Sequence, residues 1–120
     1  MQVPGNAIHY GYETVPDDLK VKTIDTIADP AASYSFDDFW VFQHINSGRI
    51  FYGSDSGCSC PTPFENENWG GPDDTTFTEV TRTNFDDFVR ELWAHCNEHK
   101  ELQDQKREVE RKVRTILWEN

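Results

Sequence analysis

Cys58 and Cys60 stand one residue apart in the run YGSDSGCSCPTPFENENWGG, residues 52–71, and the third cysteine lies in the cluster His95-Cys96-Asn97-Glu98-His99. Zinc takes four nitrogen or sulfur ligands in a tetrahedron. A Cys-x-Cys in a Gly/Pro loop can turn both thiolates toward one ion, and on a helix Cys96 and His99 are i, i+3 neighbours. Cys58, Cys60, Cys96 and His99 are therefore a candidate Cys3His zinc set, although the spacing matches no standard finger pattern. The competing reading is metal-free. Cys96 continues an apolar stripe, where a thiol acts as a small core residue. Cys58 and Cys60, with Gly57, Pro61 and Pro63 around them, shape a loop. The metal-free reading is preferred, so no cofactor is expected and zinc is the alternative.

Two further chemistries are weaker. A Cys58–Cys60 disulfide closes a very small, strained ring that is easily reduced. No Lys or Arg lies within eight residues of either thiol, and Asp55 and Glu65 raise rather than lower a thiol pKa. A cysteine nucleophile with a histidine base makes a small cysteine-dependent enzyme a further alternative, but such sets are easy to assemble from this composition. The pairs Asp17-Asp18, Asp37-Asp38, Asp73-Asp74 and Asp86-Asp87 are adjacent in sequence. In strands their side chains diverge, so they are not an acid and base by spacing. No P-loop, dinucleotide-binding glycine motif or HExxH is present. The chemistry leans away from an enzyme.

Charge narrows the partners. Residues 1–99 carry 5 Lys/Arg against 17 Asp/Glu, net −12; residues 100–120 carry 6 against 5, net +1, for a total of −11. Such a body is repelled by phosphate backbones and anionic membranes. A protein partner with a basic surface is expected, without direct nucleic-acid or membrane binding. The start, MQVPGNAIHYGYE, has neither a basic nor an apolar region of a secretory signal. A cytoplasmic location is expected, where structural disulfides are rare.

The elements that hold these residues can be read in outline. The 120 residues are sized for one domain, 1–120. Residues 1–18 are irregular, with a short extended piece near Ile8 to Tyr12. A β-branched run predicts a strand over 21–27. A turn or one helical turn is expected over 30–38. Asn46-Ser47-Gly48 between aromatic-rich runs predicts a hairpin with strands 39–45 and 49–53. Residues 54–75 form a long Gly/Pro loop of the kind that carries function. Its residues Asp55, Trp69, Asp73 and Asp74 are the candidate binding residues. TFTEVTR, 76–82, predicts a further strand.

Phe85, Phe88, Val89, Leu92, Trp93 and Cys96 fall on one face of a helix over about 84–98. Thr83 with Asp86, or Asn84 with Asp87, supplies a capping box or close relative. Leu102, Val109, Val113, Ile116 and Leu117 form a second stripe over about 101–118. The two stripes belong either to a broken pair or to one long helix, and the C-terminal part can protrude and pair in a dimer. Monomer and homodimer through that helix are both open. Phe36-Asp-Asp-Phe39 recurs as Phe85-Asp-Asp-Phe88, which reads as shared helix-start grammar. Tyr10, Tyr12, Trp69 and Trp118 are aromatics that either anchor an interface or lid the core. The fold class is α+β: a small antiparallel sheet of three to four strands, with its central hairpin at about 39–53, packed against one or two C-terminal helices.

Within residues 33–65 the run DDFWVFQHINSGRIFYGSDSGCSCPTPFE resembles a family of small uncharacterised proteins from actinobacterial phages, mycobacteriophages among them. Its core is Tyr52, Gly53, Asp55, Gly57, Cys58, Cys60, Pro61, Pro63, Phe64 and Glu65. With the next strand and FDDFVREL it covers a third to a half of the chain. The resemblance implies a phage source and no activity. Small accessory phage proteins act by binding and redirecting host proteins or blocking host defence. The functional expectation is thus a non-enzymatic accessory protein that binds a host or phage protein through its acidic face and the 54–75 loop, in the host cytoplasm.

Overall fold

Strand-forming residues dominate the first two-thirds of the chain, and the computed structural model builds them into an antiparallel sheet. It describes residues 3–4, 15–28, 35–58, 64, 68–97 and 99–119. In chain order the strands are β1 (Val3–Pro4), β2 (Val21–Ala28), β3 (Ser35–His44), β4 (Ile50–Cys58), β5 (Asn68–Trp69) and β6 (Thr78–Val80). The main sheet has the order β2-β3-β4-β6, and β1 pairs separately with β5. The helices are α1 (Phe85–Cys96) and α2 (Gln103–Glu119), with short 3-10 turns at Asp17–Leu19 and Lys100–Leu102. This is the expected α+β class.

The hairpin is longer than the sequence suggests. Its register pairs Phe42 with Phe51 and continues to Ser35 opposite Cys58. Residues 35–38 are therefore strand, not a turn or helical turn, and β4 takes the first part of the expected 54–75 loop. Phe36-Asp-Asp-Phe39 lies inside β3, while Phe85-Asp-Asp-Phe88 opens α1. Helix-start grammar thus explains only the second copy. In the first, pairing on both sides, with β2 and with β4, outweighs local preference. The extended piece near Ile8 to Tyr12 lies outside the described residues.

The contacts group into two compact units, Met1–Glu79 and Val80–Asn120, with the boundary inside β6. The first unit is organised by period-two alternation on β3 and β4. On one face Trp40, Phe42 and Phe51 join Leu19, Phe64, Trp69 and Phe77 in a buried cluster. On the other, Phe39, Val41, Ile50 and Tyr52 are buried, and the Phe39 and Tyr52 rings stack at 5.5 Å. Gly53 sits opposite Trp40. A Cβ there would come within 2.7 Å of the Phe77 ring, so the glycine lets that ring lie on the strand.

The second unit is a helical pair. Phe85, Phe88, Leu92 and Cys96 form the buried stripe of α1. Trp93, expected in that stripe, is 46% exposed; it stands at the edge, where the Lys106 ammonium lies 4.1 Å from its ring centroid. On α2 the buried positions are Lys106, Val109 and Val113. Lys106 therefore occupies a core-stripe position, its stem buried and its Nζ donating to Gln103 Oε1 at 2.6 Å. The helix breaks without Gly or Pro. Gln103 Nε2 donates to the Cys96 and His99 carbonyls at 3.0 and 3.2 Å, adding to the His99 and Leu102 N–H groups that these carbonyls already accept. No side-chain cap bond forms at Asn84; its Oδ1 accepts from Thr81 N–H at 2.6 Å instead. The expected capping box is replaced by this backward turn.

Candidate functional surfaces

Three segments meet at one end of the first unit's hairpin. The Asn46-Ser47-Gly48 turn closes through Gly48, whose φ of +74° suits glycine best. His44, 4% exposed, holds that turn to the chain before β2. Its Nε2 lies 2.6 Å from the Asp18 carbonyl. A carbonyl only accepts, so Nε2 carries a proton and donates. Nδ1 then accepts from the Ser47 hydroxyl at 2.7 Å and the Ser47 N–H at 3.3 Å. Ile45 N–H donates to the Lys20 carbonyl at 3.0 Å. From the other side, Arg49 makes a two-pronged contact with Glu79, at 3.0 and 2.7 Å. It also donates to the Pro72 carbonyl at 3.3 Å and lies 3.8 Å from Asp73. The Glu79 hydrogen bond raises the Arg49 pKa above its ordinary value.

The outcome is an acidic end with one apolar projection among the described residues. Ile45 is 57% exposed. Around it, Asp17 and Asp73 side chains stand fully in solvent, and Asp18 is exposed. Lys20 is bound to Asp17 at 2.8 Å, which holds that carboxyl below its usual range. The first unit has three Lys/Arg against 13 Asp/Glu, net −10, and two of those three cations are already ion-paired here. Ile45 and Arg49 were not among the candidates from sequence. Arg49 had a signal, as the one arginine before Arg82.

Asp73 is thus placed on the surface, and the other candidate binding residues make contacts within the first unit. Asp55 accepts the Phe64 N–H at 2.8 Å, fixing a buried phenylalanine at φ 60°, a conformation that L-residues rarely hold. Asp74 accepts the Gly70 and Thr76 N–H groups at 2.9 and 3.0 Å. Trp69 is 0% exposed and packs edge-on against Phe42 and Phe51, so it has no surface for a partner. Of the aromatics expected either at an interface or over the core, Trp69 is core, Trp118 is 46% exposed, and Tyr10 and Tyr12 lie outside the described residues. Trp69 Nε1 is the one buried side-chain polar atom among the described residues without a hydrogen-bond partner. Trp40 differs: its Nε1 donates to the buried Asp38 carboxylate at 3.1 Å.

Only part of the candidate zinc set lies among the described residues. Cys58 ends β4, Cys60 lies outside the described residues, and Cys96 is a buried thiol in the second unit. Among the described residues no three His, Cys, Asp or Glu side chains come together as a metal group. No helix among them is long and apolar enough to cross a membrane.

The second unit contains an open groove of about 550 Å³. The start of α1 supplies Phe85 and Asp86; the end of α2 supplies Arg111, Arg114, Trp118 and Glu119. Phe85 and Trp118 meet edge to face at 5.1 Å, and the Arg114 guanidinium lies 5.2 Å from the Phe85 ring centroid. Arg111 binds Glu108 through two nitrogens, which holds the Glu108 carboxyl below and the Arg111 guanidinium above their usual ranges. Arg82 Nε donates to the Leu117 carbonyl at 2.6 Å, closing the last turn of α2.

No curated protein and no solved structure matches this chain. A family model described as a domain of unknown function, DUF7574, matches residues 9–117. That is most of the chain, and the protein belongs to this family.

Proposed function

We propose that this protein is a non-enzymatic binding module whose hairpin end engages a protein partner with a basic surface. The observation that carries the reading is Ile45, an exposed aliphatic side chain at an end that also presents Asp17, Asp18 and Asp73. An apolar anchor with a charged rim is a common arrangement at protein interfaces. The buried His44 and the Arg49–Glu79 pair support it by fixing the turn before a partner arrives, which lowers the ordering cost of binding. The resemblance to small actinobacterial phage proteins extends the proposal: an accessory protein made in the host cytoplasm, acting on a host or phage protein.

The test is affinity capture from a lysate of the candidate host, at about 0.05 and 0.15 M salt. The native chain should retain a defined protein at both. Ile45→Asp and Asp73→Lys should each lose it, because both substitutions sit in solvent and leave the core untouched. Recovery of nothing at either salt, or recovery by both variants equal to that of the native chain, would remove this reading.

A further inference from the structure

Charge is divided unequally between the units. The first carries −10; the second has eight Lys/Arg against nine Asp/Glu, net −1. Two copies of a −11 chain repel each other over most of their surface. The near-neutral second unit is where repulsion is least, and its groove exposes nearly half of Trp118.

The groove charges point to the occupant. The lining holds Arg111 and Arg114 with Asp86 and Glu119 beside the Phe85 and Trp118 rings, two cations with two carboxylates. A strongly basic or strongly acidic partner finds no complement in that balance. A surface bearing both signs complements itself when rotated by a two-fold axis, because the cations of one copy can meet the carboxylates of the other. The volume of about 550 Å³ is that of a ligand-sized pocket, ample for one large side chain.

We infer that the groove is the docking site for a second copy of this chain, in a two-fold dimer with Trp118 at its centre. The groove belongs to the second unit and the hairpin end to the first, so either proposal can fail alone.

Sedimentation of the full chain over about 1 to 200 µM should show a reversible monomer–dimer equilibrium with a micromolar Kd. Trp118→Ser should raise Kd about 30-fold or more, as truncation of a central aromatic anchor does. Charge reversal gives an independent readout. Arg114→Glu leaves one arginine against three carboxylates in the lining, and Glu119→Lys leaves three cations against one. Each variant should be monomeric alone, with native helical circular dichroism, and an equimolar mixture of the two should form a heterodimer. A native chain that stays monomeric throughout the range overturns the inference. So do charge variants that dimerise as the native chain does, or folded variants that fail to pair when mixed.

Discussion

Trp40 and Trp69 allow the core's hydrogen bonding to be weighed directly. Both are essentially fully buried, at 2% and 0% exposure, in one cluster. Replacing either by Phe removes the same atoms, so the packing loss is similar, about 1–2 kcal/mol. The polar consequences are opposite. Trp40→Phe severs the Nε1–Asp38 bond in a buried setting and takes one donor from a buried acceptor, adding about 1–3 kcal/mol. Trp69→Phe deletes a buried N–H that has no acceptor, which returns about 1 kcal/mol or more of desolvation cost. Trp69→Phe should therefore cost less than Trp40→Phe by at least about 2 kcal/mol. In urea that is a separation of about 1 M in midpoint. Unfolding is followed by far-ultraviolet circular dichroism, since both variants remove a fluorophore. Equal midpoints, or Trp69→Phe as the weaker protein, would refute the assignment of an orphan donor at Trp69 and a structural bond at Trp40.

Gly53→Ala places a methyl 2.7 Å from the Phe77 ring and 3.3 Å from Phe64; it should destabilise by about 1–3 kcal/mol, read as a lowered thermal midpoint. Glu108 should titrate below the usual carboxylate range by NMR, because Arg111 binds its charged form, and Arg111→Gln should return it to that range. The sign follows: a depressed carboxyl contributes stability above its unfolded pKa of about 4.3 and loses it as pH falls through the folded value. The helical signal of α2 should weaken across that acidic window and less so in Arg111→Gln.

Alternation and turn chemistry made the centre of this protein legible. The run from Phe39 to Phe51 contains two apolar strands around Asn46-Ser47-Gly48, and no other local structure satisfies both. The stripe from Phe85 to Cys96 likewise dictates a helix. What failed to read was settled by partners distant in sequence. Phe36-Asp-Asp-Phe39 has the local grammar of a helix start but lies between two strands that claim its backbone. The break between α1 and α2 rests on Gln103 reaching back to two carbonyls, and no breaker residue announces it. Lys106 reads as a surface residue and is buried because Trp93 and Gln103 receive its ammonium.

The candidate site divides in the same way. Composition alone determined that the chain is acidic and that its charge is concentrated ahead of residue 100, because net charge is independent of fold. Only the tertiary structure decided which carboxylates remain outward. Asp38, Asp55, Asp74 and Glu79 are taken up by a tryptophan, backbone N–H groups and an arginine, while Asp17, Asp18 and Asp73 stay in solvent. That Trp69, a candidate binding residue, is core while Ile45, not a candidate, is exposed has one physical reason. Burial is set by what packs across the sheet, and the aromatics of β3 and β4 closed over Trp69 while the turn left Ile45 outside.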